Sequence, residues 1–174
     1  MRRFLWLVLL MPVTAQAQLR SSPNLGIAEG RCRVGEPGPA FLVTAAGLKD
    51  RQGRMRLEVY PADDDDFLED DNVLINEGKT FRRADVAVPP TGPVAICIRI
   101  PGPGTYTLSL LHDRDGNRKF GLSIDGIGFP NNPHLRFSKP AASAVRVTAG
   151  AGITPLTIRM NYRHGLLSFG PIGN

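Results

Sequence analysis

The sequence lacks the residue spacings on which many small hydrolases and redox enzymes depend. Its three histidines, His112, His134 and His164, form no His-x-x-x-His or His-Glu-x-x-His pair, so no zinc site of that kind is predicted. It has no Gly-x-Ser-x-Gly turn for a serine nucleophile and no Cys-x-x-Cys for thiol–disulfide exchange. The residues therefore single out no catalytic group. Carboxylates that only folding brings together leave a small hydrolase as an open alternative.

Long apolar runs are scarce, and the one that is present stands at the start of the chain. Residues 4–13 form an apolar run that is shorter than the roughly 20 residues needed to cross a bilayer. Two arginines precede it, and Ala15 and Ala17 occupy the two small positions that a signal peptidase reads. We predict a signal peptide over residues 1–17, cleaved before Gln18. The mature chain is then expected to have no membrane span and to be periplasmic or secreted.

The sequence also lacks a contiguous basic stripe with interleaved aromatic residues. The net charge is +5, but the basic residues are scattered, so nucleic acid is not an expected partner. The acidic residues are clustered instead, with seven of 16 lying between Asp63 and Asp71. Such a run can gather cations or a basic partner, or it can be a solvated loop kept extended by its own repulsion. Both alternatives remain open from the sequence.

Only two cysteines are present, Cys32 and Cys97. In an oxidising compartment a lone pair most often forms one disulfide, and we predict that bond here. Closing so long a loop is expected to stabilise the fold by roughly 4 kcal/mol. Two free thiols or a pair of metal ligands are the alternatives.

Short β-type runs separated by turn residues dominate the rest of the chain. In the run from Arg54 to Tyr60, polar and apolar residues alternate, which places Met55, Leu57 and Val59 on one buried face. We predict an all-β fold, a single antiparallel β-sandwich of about seven strands, immunoglobulin-like, with one long acidic connection. The predicted strands are residues 41–48, 54–60, 81–88, 94–100, 105–111, 144–148 and 156–162.

This pattern also divides the chain into segments. Residues 18–40 are rich in Gly, Pro and Ser without a period, and they are predicted to form a flexible N-terminal segment. The β-sandwich domain is expected over residues 41–163, and residues 164–174 are expected to form a C-terminal tail. The long acidic connection, residues 61–80, contains apolar residues that are expected to anchor it to the domain.

The loop after the 105–111 strand carries the residues best suited to a ligand. Oxygen-bearing side chains at alternate positions of a tight loop can converge on a hard cation such as Ca²⁺. The spacing is not that of an EF-hand, because the glycine, Gly116, falls at loop position 4. The metal-site candidates are Asp113, Asp115, Asn117 and Asp125.

The same loop also supports a purely structural interpretation. Three neighbouring cations, Arg114, Arg118 and Lys119, are expected to weaken a metal site. Asp and Asn side chains commonly bond the backbone of their own loop without any ion. His112 is expected to bond a loop carbonyl rather than to act as a base.

This part of the sequence resembles a known family. A strand beginning Gly104-Thr105-Tyr106, followed by His-Asp-x-Asp-x-Asn-x-Lys at residues 112–119, is similar to the exported bacterial domain called domain-of-unknown-function family 2141. The similarity runs over about residues 41–162 and includes residues 53–60 and Phe137-Ser138. It departs at Gly121, where the family usually has an Asp. The resemblance implies a transthyretin-like β-sandwich and carries no established activity.

The functional prediction is an exported, non-enzymatic binding or accessory module of unknown ligand. Its partner would be a protein or a component of the cell envelope, and no cofactor is expected apart from the Ca²⁺ alternative. A Ca²⁺-stabilised structural domain using residues 113–117 is the first alternative, and a small periplasmic hydrolase is the second. The working surface is expected in the loop of residues 112–140, with the candidates His112, Asp113, Asp115, Asn117, Lys119 and Phe129.

Overall fold

Ten β-strands in two packed sheets form the framework of the described chain. The computed structural model describes residues 18–135, 138–166 and 168–172. The predicted signal peptide, residues 1–17, and Phe137 of the family-like motif lie outside these residues. The elements are β1 (Ala40–Ala46), β2 (Arg54–Tyr60), α1 (Asp71–Asn76), β3 (Arg82–Ala87), β4 (Val94–Arg99), β5 (Gly104–Asp113), β6 (Gly126–Gly128), α2 (Ala142–Val145), β7 (Arg146–Ala149), β8 (Ile153–Arg159), β9 (Asn161–Arg163) and β10 (Phe169–Gly170).

The predicted all-β sandwich is confirmed, but the strand count of about seven was too low. The additional strands are short: β6 and β9 have three residues each, and β10 has two. Strands of this length carry no readable alternation of polar and apolar residues. The predicted 156–162 strand is divided in the structure between β8 and β9. The division falls at Met160, whose backbone N–H donates to the Ala46 carbonyl at 2.9 Å.

The smaller sheet has the order β4–β1–β8, and its β1–β8 pairing is parallel. This pairing departs from the expected antiparallel arrangement. Parallel neighbours need a long crossover between them, and local turn signals cannot reveal such a partner.

The larger sheet is built around β5. Its path runs β10–β9–β6–β5–β2–β3. One edge of β5 pairs with β2 along residues 107–113, while its other edge is shared between β7 near the start and β6 near the end. The last residues of β5 are therefore held on both sides by neighbouring strands.

The main hydrophobic core lies between the two sheets. Met55, Leu57 and Val59, the predicted buried face of β2, are fully buried there and pack in one cluster with Phe41 and Ile98 of the smaller sheet. Because successive side chains point to opposite faces of a strand, the next residue, Tyr60, belongs to a second cluster on the outer face of the larger sheet.

The acidic connection covers this outer face. Phe67 and Leu74 are fully buried in the second cluster. Asp71 accepts from Arg83 of β3 at 3.1 Å, and Asp66 pairs with Lys79 at 2.6 Å. Part of the acidic run is therefore paired with cations, and its apolar residues pack against the domain as expected.

The predicted disulfide between Cys32 and Cys97 is present, with 5.6 Å between the Cα atoms. Nearby, the Cys97 backbone N–H donates to the Gly30 carbonyl at 3.1 Å. The Ala28 N–H donates to the Arg83 carbonyl at 2.7 Å, so the N-terminal segment follows β3 and β4. No helix in the described part of the chain is both long enough and apolar enough to cross a membrane.

Candidate functional site

The end of β5 presents two adjacent polar side chains on opposite faces of the sheet. His112 is fully buried on the core side, where its Nδ1 lies 2.6 Å from the Tyr162 hydroxyl and its Nε2 lies 2.7 Å from the Gln52 carbonyl. A carbonyl only accepts, so Nε2 carries the proton and Nδ1 accepts from Tyr162. Burial lowers the pKa of His112 and keeps the ring neutral. Both ring nitrogens are therefore engaged by groups within the fold.

Asp113 lies on the opposite face and joins an acidic cluster. Asp113, Asp115 and Asp125 each place one carboxylate oxygen within 4.8 Å of the others. Asp113 and Asp125 are buried, whereas Asp115 is exposed to solvent. The structure thus brings together three of the four residues proposed as metal ligands.

Backbone N–H groups of the loop hold two of these carboxylates in place. Asp113 Oδ2 accepts from the Arg118 N–H at 2.9 Å. Asp125 accepts from the Arg114 N–H and from the Gly121 N–H, each at 2.8 Å. The buried Asp113 Oδ1, in contrast, has no hydrogen-bond partner among the described residues. Desolvation, and then the charge of Asp125, raise the pKa of Asp113.

The cations near the loop do not neutralise this cluster. Arg114 pairs with Asp50 instead, and that contact holds the pKa of Asp50 below its usual range. Arg56 pairs with Asp85 at 3.0 Å and donates to the Arg118 carbonyl at 2.9 Å. Within the described residues, no lysine or arginine side chain forms an ion pair with any of the three clustered carboxylates.

Asn117, the fourth proposed ligand, braces the loop. Its side-chain amide donates to Asp115 at 2.8 Å, and its Oδ1 accepts from the Lys119 N–H at 2.7 Å. The Lys119 side chain is exposed. Asn117 therefore positions Asp115 and has its own side-chain oxygen engaged.

A groove of about 460 Å³ lies beside the same loop. Phe129, the last of the proposed binding residues, belongs to its wall together with the C-terminal segment. Phe120 and Leu122 remain 44% and 49% exposed, and Phe120 meets Phe169 edge-to-face at 6.3 Å. The main apolar residues of the lining are Phe120, Leu122, Ile127, Phe129, Leu135 and Phe169.

Two cations lie at the margin of this groove. The Lys139 ammonium donates to the carbonyls of Asp64 and Phe67, each at 2.8 Å. The Arg163 guanidinium donates to Ser123 and to the carbonyls of Gly165 and Leu166 at 3.1–3.2 Å. Neither has a carboxylate partner in the described part of the chain. The groove therefore combines an apolar wall with two cations that form no ion pair with a described acid.

Comparison with known families gives one match. A profile of the family described as "Uncharacterized protein conserved in bacteria (DUF2141)" matches residues 43–156. The chain belongs to the DUF2141 family. This confirms the resemblance first seen in the loop after β5. No curated protein and no solved structure matches the chain.

The part that matches DUF2141 includes the acidic cluster and one wall of the groove. Arg163, Leu166 and Phe169, which complete the groove, lie beyond the matched residues. Sequence reasoning missed these three: Leu166 and Phe169 lie in residues 164–174, which were expected to form a tail, and Arg163 is the last residue of the predicted domain. β10 instead pairs with β9 and brings Phe169 against the loop. The available signal was the apolar residues of the predicted tail, which are Leu166, Leu167, Phe169 and Ile172.

Proposed function

We propose that this protein is an exported, non-enzymatic binding module that holds a small amphipathic ligand in the groove. The observation that carries the proposal is the groove, whose volume of about 460 Å³ falls among those of small-molecule sites. Leu166 at its edge is 86% exposed, next to the half-exposed Phe120 and Leu122. Contiguous exposed apolar surface of this kind marks a binding site more often than it occurs by chance.

The charges favour a ligand with one anionic group. Lys139 and Arg163 bond only to neutral oxygens, so an acid on the ligand would find two uncompensated cations beside an apolar wall. An acyl chain with a terminal carboxylate has this chemistry. The envelope of a bacterium is a source of such molecules, in line with the predicted envelope partner.

Two further observations support this function. His112 has both ring nitrogens engaged in the interior, which favours a structural role for it over a catalytic one. The Cys32–Cys97 bond fits an oxidising compartment and thereby supports export.

The test is a calorimetric titration of the mature protein with dodecanoate, and with dodecyl maltoside as the uncharged counterpart. We expect saturable binding of dodecanoate and weaker binding of the maltoside. Leu122→Glu should weaken dodecanoate binding by about ten-fold or more, because it puts a charge in the apolar wall. Arg163→Gln should remove most of the preference for the acid.

Matched controls separate these effects from a general loss of structure. Ile153 is 45% exposed, a fraction similar to that of Leu122, but it does not line the groove. Ile153→Glu should therefore leave the affinity for dodecanoate unchanged. Arg31→Gln is the control for Arg163→Gln, because Arg31 is exposed and does not line the groove. Absence of saturable dodecanoate binding, or equal losses in test and control variants, would contradict the proposal. Binding of apolar peptides but not of dodecanoate would overturn the ligand class.

A further inference from the structure

We propose that Asp113, Asp115 and Asp125 form a binding site for one Ca²⁺ ion at the end of β5. This site lies in the loop beside the groove and does not depend on the proposed function. The three carboxylates converge within 4.8 Å, and no lysine or arginine of the described chain pairs with them. Like charges held this close repel one another, and a cation between them removes that repulsion.

A second observation points independently to a ligand. Asp113 is 1% exposed, and its Oδ1 has no hydrogen-bond donor among the described residues. Buried carboxylate oxygens are normally satisfied, and leaving one without a partner is costly. The other oxygen of Asp113 accepts from the Arg118 N–H at 2.9 Å, which fixes the orientation of this carboxylate within the cluster.

The surroundings also remove an objection raised by the sequence. Arg114 was expected to weaken a metal site, but its guanidinium is paired with Asp50 and donates to the Ile124 carbonyl at 2.7 Å. The backbone N–H of Arg114 donates to Asp125, and the charge of its side chain is already offset by Asp50.

The ligand chemistry selects a hard cation with a flexible shell. All of the donors are carboxylate oxygens, which suit Ca²⁺ and Mg²⁺ rather than softer metals. Ca²⁺ accepts an irregular shell of protein oxygens and waters, whereas Mg²⁺ demands near-octahedral geometry. The exposed Asp115 leaves one side open to water. With three protein ligands we expect a weak site, with a Kd of about 10⁻⁴–10⁻³ M, as in extracellular modules.

The decisive experiment compares thermal unfolding of the mature, oxidised protein in EDTA and in Ca²⁺. A ligand that binds only the folded state, present at a concentration of about ten times its Kd, should raise the Tm by about 3–6 °C for a chain of this size. Isothermal titration should give a stoichiometry of one. NaCl of equal ionic strength should have no such effect, and Mg²⁺ a smaller one. A Mg²⁺ response as large as that of Ca²⁺ would overturn the assignment to Ca²⁺.

Substitutions then locate the site. Asp115→Asn changes an exposed side chain, so the protein should fold normally and lose the Ca²⁺-induced rise. Asp113→Asn should also lose it, yet in EDTA its Tm should equal or exceed that of the unchanged protein, because one of the repelling charges is gone. The control is Asp65→Asn, an exposed acid of the acidic connection, which should keep the full response.

Each contrary result overturns the proposal. Superimposable melts in EDTA and Ca²⁺ with no heat of titration would mean that no ion binds. A loss of response in Asp65→Asn as large as that in Asp115→Asn would mean that Ca²⁺ acts through general screening. A full response in both Asp113→Asn and Asp115→Asn would place the ion elsewhere.

Discussion

His112 and Tyr162 are hydrogen-bonded to each other in the interior of the fold, with 2.6 Å between Nδ1 and the hydroxyl oxygen. The contact joins the end of β5 to β9, which are neighbours of the same short strand, β6. Burial raises the pKa of Tyr162 to about 12, so the hydroxyl keeps its proton and donates. At neutral pH the ring therefore accepts and the hydroxyl donates, and the pair holds the strand end that carries Asp113.

Tyr162→Phe should destabilise the protein by about 1–3 kcal/mol, because it leaves the buried His112 Nδ1 without a donor. The control is Tyr106→Phe, whose hydroxyl donates to the Gly102 carbonyl at 2.8 Å. Gly102 is partly exposed, so water can replace the lost donor and the effect should be smaller. Urea unfolding monitored by fluorescence measures both. Equal losses of unfolding free energy would show that the hydrogen bond to His112 stabilises the protein no more than the one to Gly102.

Stability should fall as the pH is lowered from about 7 to about 5. Burial lowers the pKa of His112 in the folded state. The positive charge of Arg114 lowers it further, whereas the negative charges of Asp50 and Asp125 raise it in part. Between the folded and the unfolded pKa, the unfolded chain therefore binds a proton that the folded chain does not. The stabilisation is complete above the ordinary histidine pKa and is lost as the pH falls through the lower folded value.

NMR titration of the His112 ring protons checks this directly, and a midpoint at or above the ordinary value of 6.5 would refute it. Chemical unfolding across the same pH range supplies the second measurement.

Gly126→Ala should destabilise the fold by about 1–3 kcal/mol through overpacking. A Cβ at Gly126 would lie 2.2 Å from the Tyr162 ring, which covers this glycine across the β6–β9 pair. Gly150→Ala is the matched control, because a Cβ there meets nothing within 4 Å. Thermal melts of both variants should separate by several degrees. A Gly126→Ala melt that matches the Gly150→Ala melt would show that the Tyr162 ring can move aside.

Reducing the Cys32–Cys97 bond should lower the free energy of unfolding by about 2–4 kcal/mol, because the unfolded chain regains the freedom of a 65-residue separation. Denaturant titration with and without a reductant measures the change. A double Cys32→Ala, Cys97→Ala variant should match the reduced protein and be insensitive to the reductant. Equal stability of the oxidised and reduced forms would mean that the N-terminal segment is held by its backbone bonds alone.

The sequence by itself determined the fold class, the disulfide and the family. Alternation at Met55, Leu57 and Val59 marks a half-buried strand because side chains along a strand alternate between faces. Two cysteines in the whole sequence leave one possible pairing within the chain. The loop after β5 was recognisable as a candidate site because Asp113, Asp115 and Asn117 lie within five residues. Such local spacing can be read directly from a sequence.

The tertiary structure alone decided how the site is assembled. Tyr162 lies 50 residues from His112 along the chain, and only the placement of β9 beside β6 brings them together. Phe169 completes the groove only because two residues pair as β10, too few to show a period. The missing partner of Asp113 is likewise a property of the folded loop. The first two depend on contacts between distant segments, which packing of the whole chain selects and local pattern does not encode.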